Sequence, residues 1–222
     1  MSTAALLLPP TLPPDDGRIT PPVPPDKLAT EDAFMAWVRQ YPGLWAEWDE
    51  GEVVVMAPTG FEHNDVGIWL IRVIAEVVER RKLGVVTFDT WTRLTSPRRQ
   101  VRAPDIGFVA EARRSIVQRV YVDGPPDAVF EVVSEDSAAH DYRRKYLAYE
   151  AAGVREYWIV DPFTRNVELN RLGTDGRYET IPTSADGWLV SEVMTGLRLR
   201  PLWLWQAPRP AVAAVLTEMG IA

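Results

Sequence analysis

Residues 128–133, Ala-Val-Phe-Glu-Val-Val, set the strongest limit on how this chain can fold. Apart from one carboxylate, the run is apolar on both faces of an extended segment, and such a strand belongs inside a sheet covered on both sides. Glu131 then has to be accounted for. A carboxylate there costs several kcal/mol unless it is paired, hydrogen-bonded or bound to a metal ion. Two readings stand open on the residue itself: a functional acid, or a structural ion pair near a strand end that lies closer to water than the pattern implies.

The pattern on either side predicts an α/β fold. Residues 30–40 read as a short helix with a Thr cap and acids in its first turn. Residues 45–60 read as two short strands turning at Asp49-Glu50-Gly51. Val66, Leu70, Val73, Ile74 and Val77 repeat at helical spacing, so residues 62–82 form a long amphipathic helix ended by Gly84. Extended segments are expected at 85–94, 103–109 and 127–133, then a helix over 138–152 stopped by Gly153 and a buried strand closed by Asp161-Pro162. The core order is therefore helix, three strands, helix, strand. Hairpins turning at Asp175-Gly176 and Asp186-Gly187 are expected to extend the same sheet.

Composition removes whole classes of function. The chain has 222 residues, 46% hydrophobic and 25% charged, enough to bury a core. Eight prolines and no aromatic residue in residues 1–25 mark a flexible tail, leaving 26–222 as the expected single domain. With no cysteine, thiol nucleophiles, disulfides and zinc ribbons are excluded; with two histidines, any metal must rest mainly on carboxylates, which favour hard cations. The net charge of −7 argues against non-specific adhesion to nucleic acid, so such binding would need Arg80-Arg81-Lys82, Arg98-Arg99, Arg102 and Arg143-Arg144. No apolar run spans a bilayer and the start lacks a basic signal region, so a cytoplasmic protein without membrane contact is expected.

Three further residues share Glu131's interest. Asp105 follows Pro104 at the mouth of a strand, and two carboxylates on adjacent strands can share one divalent cation. Lys145 falls on the apolar stripe Ala138, Tyr142, Tyr149, Ala152, either tilted inward or snorkelling to solvent. His63 shares a face with Val66, Leu70, Val73 and Val77, where a satisfied core histidine is the plain alternative. Thr59 and Glu62 have capping-box spacing, which accounts for both without chemistry.

Taken together, APDIGFV (103–109), PPDAVFEVVSEDS (125–137) and DYRRKYLAYEAAGVREYWIVDP (141–162) resemble the Uma2 family, also described as DUF820. The likeness covers about residues 30–200 and includes EWDEGEVVVMAPTGFEH (47–63) upstream. It implies a restriction-endonuclease-like mixed sheet flanked by helices in the order α-β-β-β-α-β, similar to the PD-(D/E)xK nucleases. Carried over, the family's "PD" aspartate falls on Asp105 and its motif acid on Glu131. The lysine expected two residues later is absent, because Val133 stands there, and the resemblance supplies Lys145 from the next helix instead. It implies Asp105 and Glu131 as ligands of Mg²⁺ or Mn²⁺, Lys145 as the residue that orients water or offsets charge, and His63 as a phosphate contact or secondary ligand. The expected activity is metal-dependent phosphodiester hydrolysis, with DNA as substrate and a homodimer as a plausible way to cut two strands. The competing expectation is an inactive nucleic-acid- or protein-binding module on the same fold. A glycosidase using two acids would leave Lys145 idle.

Overall fold

The structure is a computed structural model that describes residues 28–221 except 42, 57, 95–97 and 135–139, with the backbone alone at 140–142. Helix α1 (Glu31–Val38) precedes β1 (Ala46–Asp49) and β2 (Glu52–Val55). Helix α2 (Phe61–Arg81) precedes β3 (Gly84–Phe88), β4 (Thr92–Leu94), β5 (Gln100–Arg102) and β6 (Ile106–Ala110). After a 3-10 turn at Glu111–Ile116 come β7 (Val122–Asp123), β8 (Ala128–Val132), α3 (His140–Ala152) and β9 (Glu156–Asp161). The chain closes with β10 (Asn166–Leu172), β11 (Tyr178–Ile181), β12 (Leu189–Val190), β13 (Arg198–Leu199), α4 (Pro201–Leu204) and α5 (Val212–Met219).

The central sheet has the order β11-β10-β9-β8-β6-β3 and is mixed, with β8 and β9 parallel and its other pairs antiparallel. Parallel neighbours need a crossover, and α3 supplies it. Every residue of β8 is buried because both faces are covered. On one face Val66, Leu70, Val73, Ile74 and Val77 of α2 pack on Phe108, Phe130, Trp158 and Val160. On the other, Ala148 and Tyr149 of α3 pack on Val129, Tyr157 and Ile159. The core order of helix, three strands, helix and strand is as the sequence predicts.

A second sheet, β2-β1-β5-β4-β7, packs with α1 around Trp48, Phe34 and Trp37. Residues 85–94 are not one extended segment, as the periodicity suggests. Asp89 takes a left-handed backbone with φ 43, and the chain passes there from the central sheet into the second one. Strand β5 returns alongside and crosses back at Ala103-Pro104. The pairs Gly84↔Ala110 through Phe88↔Ile106 and Thr92↔Arg102 through Leu94↔Gln100 share one register. β3 and β4 therefore pair with β6 and β5 as one long antiparallel ribbon bent in the middle, with Asp89 opposite Asp105 at the bend and Asp89 N–H donating to Asp105 O at 3.2 Å.

Three other expectations change. Helix α2 ends on Lys82, which takes the left-handed cap at φ 54, whereas Gly84 starts β3. Only the 175–176 turn extends the central sheet; beyond 186–187, β12 and β13 pair with each other in a separate two-stranded sheet. Helices α4 and α5 were not foreseen; α5 buries Val215, Leu216 and Met219 in the α2 core. Ala138 lies outside the described residues.

Gly84 has φ 155, and a Cβ there would sit 2.0 Å from the carbonyl oxygen of Val109. Backbone cannot give way as a side chain does, so Gly84→Ala should cost about 3 kcal/mol. Gly153→Ala, also at positive φ but with nothing within 4 Å, should cost about 1 kcal/mol. Denaturant unfolding of the two variants checks this ranking.

Candidate active site

The bend of the ribbon and the end of β8 bring the predicted residues to one place. One step beyond Ile106↔Phe130, the β6–β8 register sets Asp105 opposite Glu131. Asp105 Oδ2 accepts from the Val132 backbone N–H at 2.7 Å and lies 3.2 Å from His63 Nε2. His63 stands in the first turn of α2, so the histidine and the aspartate close the same end of the sheet. Asp105 Oδ1 takes no hydrogen bond among the described residues.

Glu131 points to the opposite face from Phe130, toward α3. Its Oε2 accepts from Lys145 Nζ at 2.9 Å and its Oε1 from the Tyr149 hydroxyl at 2.7 Å. The two donors are one helical turn apart, so they reach the carboxylate side by side. Lys145 is 8% exposed and does not snorkel. The buried carboxylate is thus both paired and hydrogen-bonded, the condition its strand demanded.

Glu47 completes the cluster, and the sequence reading passed over it. The β1–β5 register, extended by one residue, sets Glu47 opposite Arg102. Glu47 is 1% exposed, with Oε2 on Arg102 at 2.9 Å and Oε1 on the backbone N–H of Ala103 at 3.1 Å. That same oxygen lies 3.9 Å from Lys145 Nζ. Glu47 therefore ties the second sheet to both the loop carrying Asp105 and the lysine of α3. Its signal was the Glu-Trp-Asp alternation, two acids on one strand face with Arg102 as their only neutralising partner across the ladder. Asp89 and Tyr149 were also missed: Asp89 ends the apolar run VVTF much as Glu131 interrupts its own, and Tyr149 reads as a plain apolar stripe position.

The charges shift one another. Burial first of all lifts the Glu131 carboxyl well above the usual carboxylate range; Lys145 pulls against it, and the charges of Asp105 and Glu47 add to the lift. Burial, then the charge of Asp105 across the bend, pushes Asp89 up to about 6. Burial works to lower His63, but its hydrogen bond to Asp105 and that residue's charge outweigh it and hold the imidazole above its ordinary value.

Among the described residues, no three His, Asp or Glu side chains converge closely enough to hold a metal ion by themselves. The donor set nevertheless fits a hard divalent cation of the Mg²⁺ type, which uses one or two carboxylates and keeps water on its other positions. Asp105 offers an oxygen free of protein hydrogen bonds, and Glu131 faces it from the next strand. His63 Nδ1 is buried with no hydrogen-bond partner among the described residues.

The expected basic surface is divided. Arg102 is buried and neutralised by Glu47 and Asp49, so it cannot track phosphate. Arg80 pairs with Glu76, and Arg144 with Glu52. Arg98, Arg99 and Arg143 are exposed. No helix among the described residues is long and apolar enough to cross a membrane.

Residues 32–201 match the family model Uma2, described as "Putative restriction endonuclease". No curated protein matches the chain. Among solved structures, one described as a "putative nuclease belonging to DUF820" from Anabaena variabilis aligns with a TM-score of 0.60 at 18% identity, covering 72% of this chain and 89% of that one. The likeness is one of fold, the restriction-endonuclease-like mixed sheet flanked by helices.

All three shifted groups bind protons more tightly in the folded protein. Each therefore contributes stability that is complete below its ordinary pKa and lost as pH rises through its folded value. In chelator, the melting temperature should fall between about pH 5 and 8, and Asp89→Asn should flatten the lower part of that slope. Thermal melts of both proteins across this range check it; a wild-type melting temperature that rises would contradict the assignment.

Proposed function

Since the chain belongs to the Uma2 family, we propose that it is a metal-dependent endonuclease that hydrolyses phosphodiester bonds, with DNA as the substrate. The observation that carries this reading is the convergence of Asp105, Glu131 and Lys145, from three different elements, at one end of the central sheet. A purely structural clamp on Glu131 needs Lys145 and Tyr149; it does not need a second carboxylate on the next strand with an unbonded oxygen.

Asp105 and Glu131 are the residues that would hold Mg²⁺ or Mn²⁺, and the bound ion would supply Lewis-acid polarisation of the phosphate and of water. The protein's own groups do the rest. The Val132 N–H and His63 fix the rotamer of Asp105, so its second oxygen keeps one direction. Tyr149 fixes Glu131 in the same way. Lys145 places a positive charge beside the carboxylates, where it can orient water and offset charge that develops on a phosphate oxygen. Glu47 limits where that ammonium can go. A homodimer would present two such sites to the two strands of a duplex.

One observation favours the second reading, an inactive binding module. Both oxygens of Glu131 are already engaged, so a cation must share one of them with Lys145 or Tyr149.

Single changes at Glu131 or Lys145 break a buried pair and typically cost about 3–5 kcal/mol, which confuses folding with chemistry. Glu131→Gln combined with Lys145→Met removes both charges and should fold about as well as wild type. On linear, supercoiled and single-stranded DNA with Mg²⁺, Mn²⁺ or chelator, wild type should cut only with metal. The double variant and Asp105→Asn should each lose at least about a hundredfold in rate. A folded double variant with full activity removes the pair from the site. Absence of wild-type cleavage under every metal, with specific binding retained, moves the binding module ahead.

A further inference from the structure

A concave surface lies outside the acid cluster. It is a cleft of about 430 Å³ between α2 and the chain that follows α4, with Trp69 and Leu204 in its walls and Pro162 and Arg165 at one lip. Pro162 directly follows β9, and β9 runs parallel to β8, so this lip stands at the same end of the sheet as Glu131. Glu62, in the first turn of α2 beside His63, also lines the cleft. The cleft and the acids therefore open at one end of the molecule.

Its polar groups divide into those already used and those left over. Trp69 donates its indole N–H to the Pro210 carbonyl at 2.9 Å. Arg209 is held by Asp65 and the Leu204 carbonyl. Left over are Arg72 and Arg165, together with Glu62 and Gln206, all exposed and forming no ion pair or side-chain hydrogen bond among the described residues; the two guanidiniums outweigh the one carboxylate. Trp205 is half-buried, and its Nε1 is shielded from water with no partner among the described residues. Two uncommitted guanidiniums therefore line one cleft. An aromatic face with paired arginines is the combination that takes a base by stacking and a phosphate by charge.

We propose that this cleft holds one nucleotide of a single-stranded segment of the substrate, its phosphate taken by Arg72 and Arg165 and its base resting against Trp205. The proposal rests on the nuclease reading for its substrate, and it extends that reading to a subsite beyond the scissile bond.

Binding of fluorescein-labelled oligothymidylate to the full chain in chelator, read by anisotropy, tests the cleft without chemistry. Wild type should bind with a steep salt dependence. Arg72→Ala and Arg165→Ala, both exposed and harmless to folding, should each weaken binding by roughly threefold to tenfold and reduce the salt slope by about 0.7. Trp205→Leu should weaken it by about tenfold, and Trp205→Phe should restore most of the loss, because stacking needs only an aromatic face. Salt slopes unchanged in both arginine variants, or no wild-type binding in chelator, overturn the proposal even if the enzyme cuts DNA. Conversely, a wild type that never cuts while the arginine and tryptophan variants lose binding as stated overturns the nuclease reading and leaves the cleft assigned.

Discussion

The architecture turns on a single buried carboxylate. Glu131 sits in a strand covered on both faces, and its charge is tolerable only because Lys145 and Tyr149 meet its two oxygens from α3. Since α3 is the crossover between β8 and β9, those two donors can reach Glu131 in one register of helix on sheet and no other. A shift of the helix by one residue would rotate both away by about 100° and strand the charge. The clamp thus fixes the register of α3 on the sheet.

The second sheet is bound into the same arrangement by charge. Glu47 joins Arg102, the backbone before Asp105 and the neighbourhood of Lys145. Buried Glu47 and Glu131 face buried Arg102 and Lys145, and the half-buried Asp89 and Asp105 add further acids; burial first, and then the charge of the neighbouring acids, raises Glu131 and Asp89. A site under that strain has an intrinsic appetite for positive charge. That is the physical argument behind the proposed divalent cation, and it stands apart from any resemblance.

Much of this was legible in the sequence and some was not. The central strand, the long helix α2 and the helix carrying Lys145 follow from hydrophobic periodicity, which reports burial directly. Glu131 stands out because a charge in an apolar run contradicts its surroundings; Asp105, at the mouth of a strand after Pro104, draws its interest from the pairing with Glu131. Glu47 escaped because its strand alternates acids with tryptophan and looks half-exposed; only the β1–β5 pairing, a contact 55 residues apart along the chain, shows it to be inside. Asp89 escaped because a left-handed residue that moves a strand from one sheet to another leaves no periodic trace. Helices α4 and α5 are short and acquire their order by packing on α2, which no local propensity announces.

The continuous register of β3 and β4 against β6 and β5 has a consequence for where the acids stand. The long arm, β3 with β6, belongs to the central sheet, while the short arm, β4 with β5, belongs to the second sheet, beside the exposed Arg98 and Arg99. Asp89 and Asp105 occupy the bend between the arms. The acid cluster thus lies on a seam where two sheets share the same two strands of backbone, so the placement of either sheet sets the placement of both aspartates.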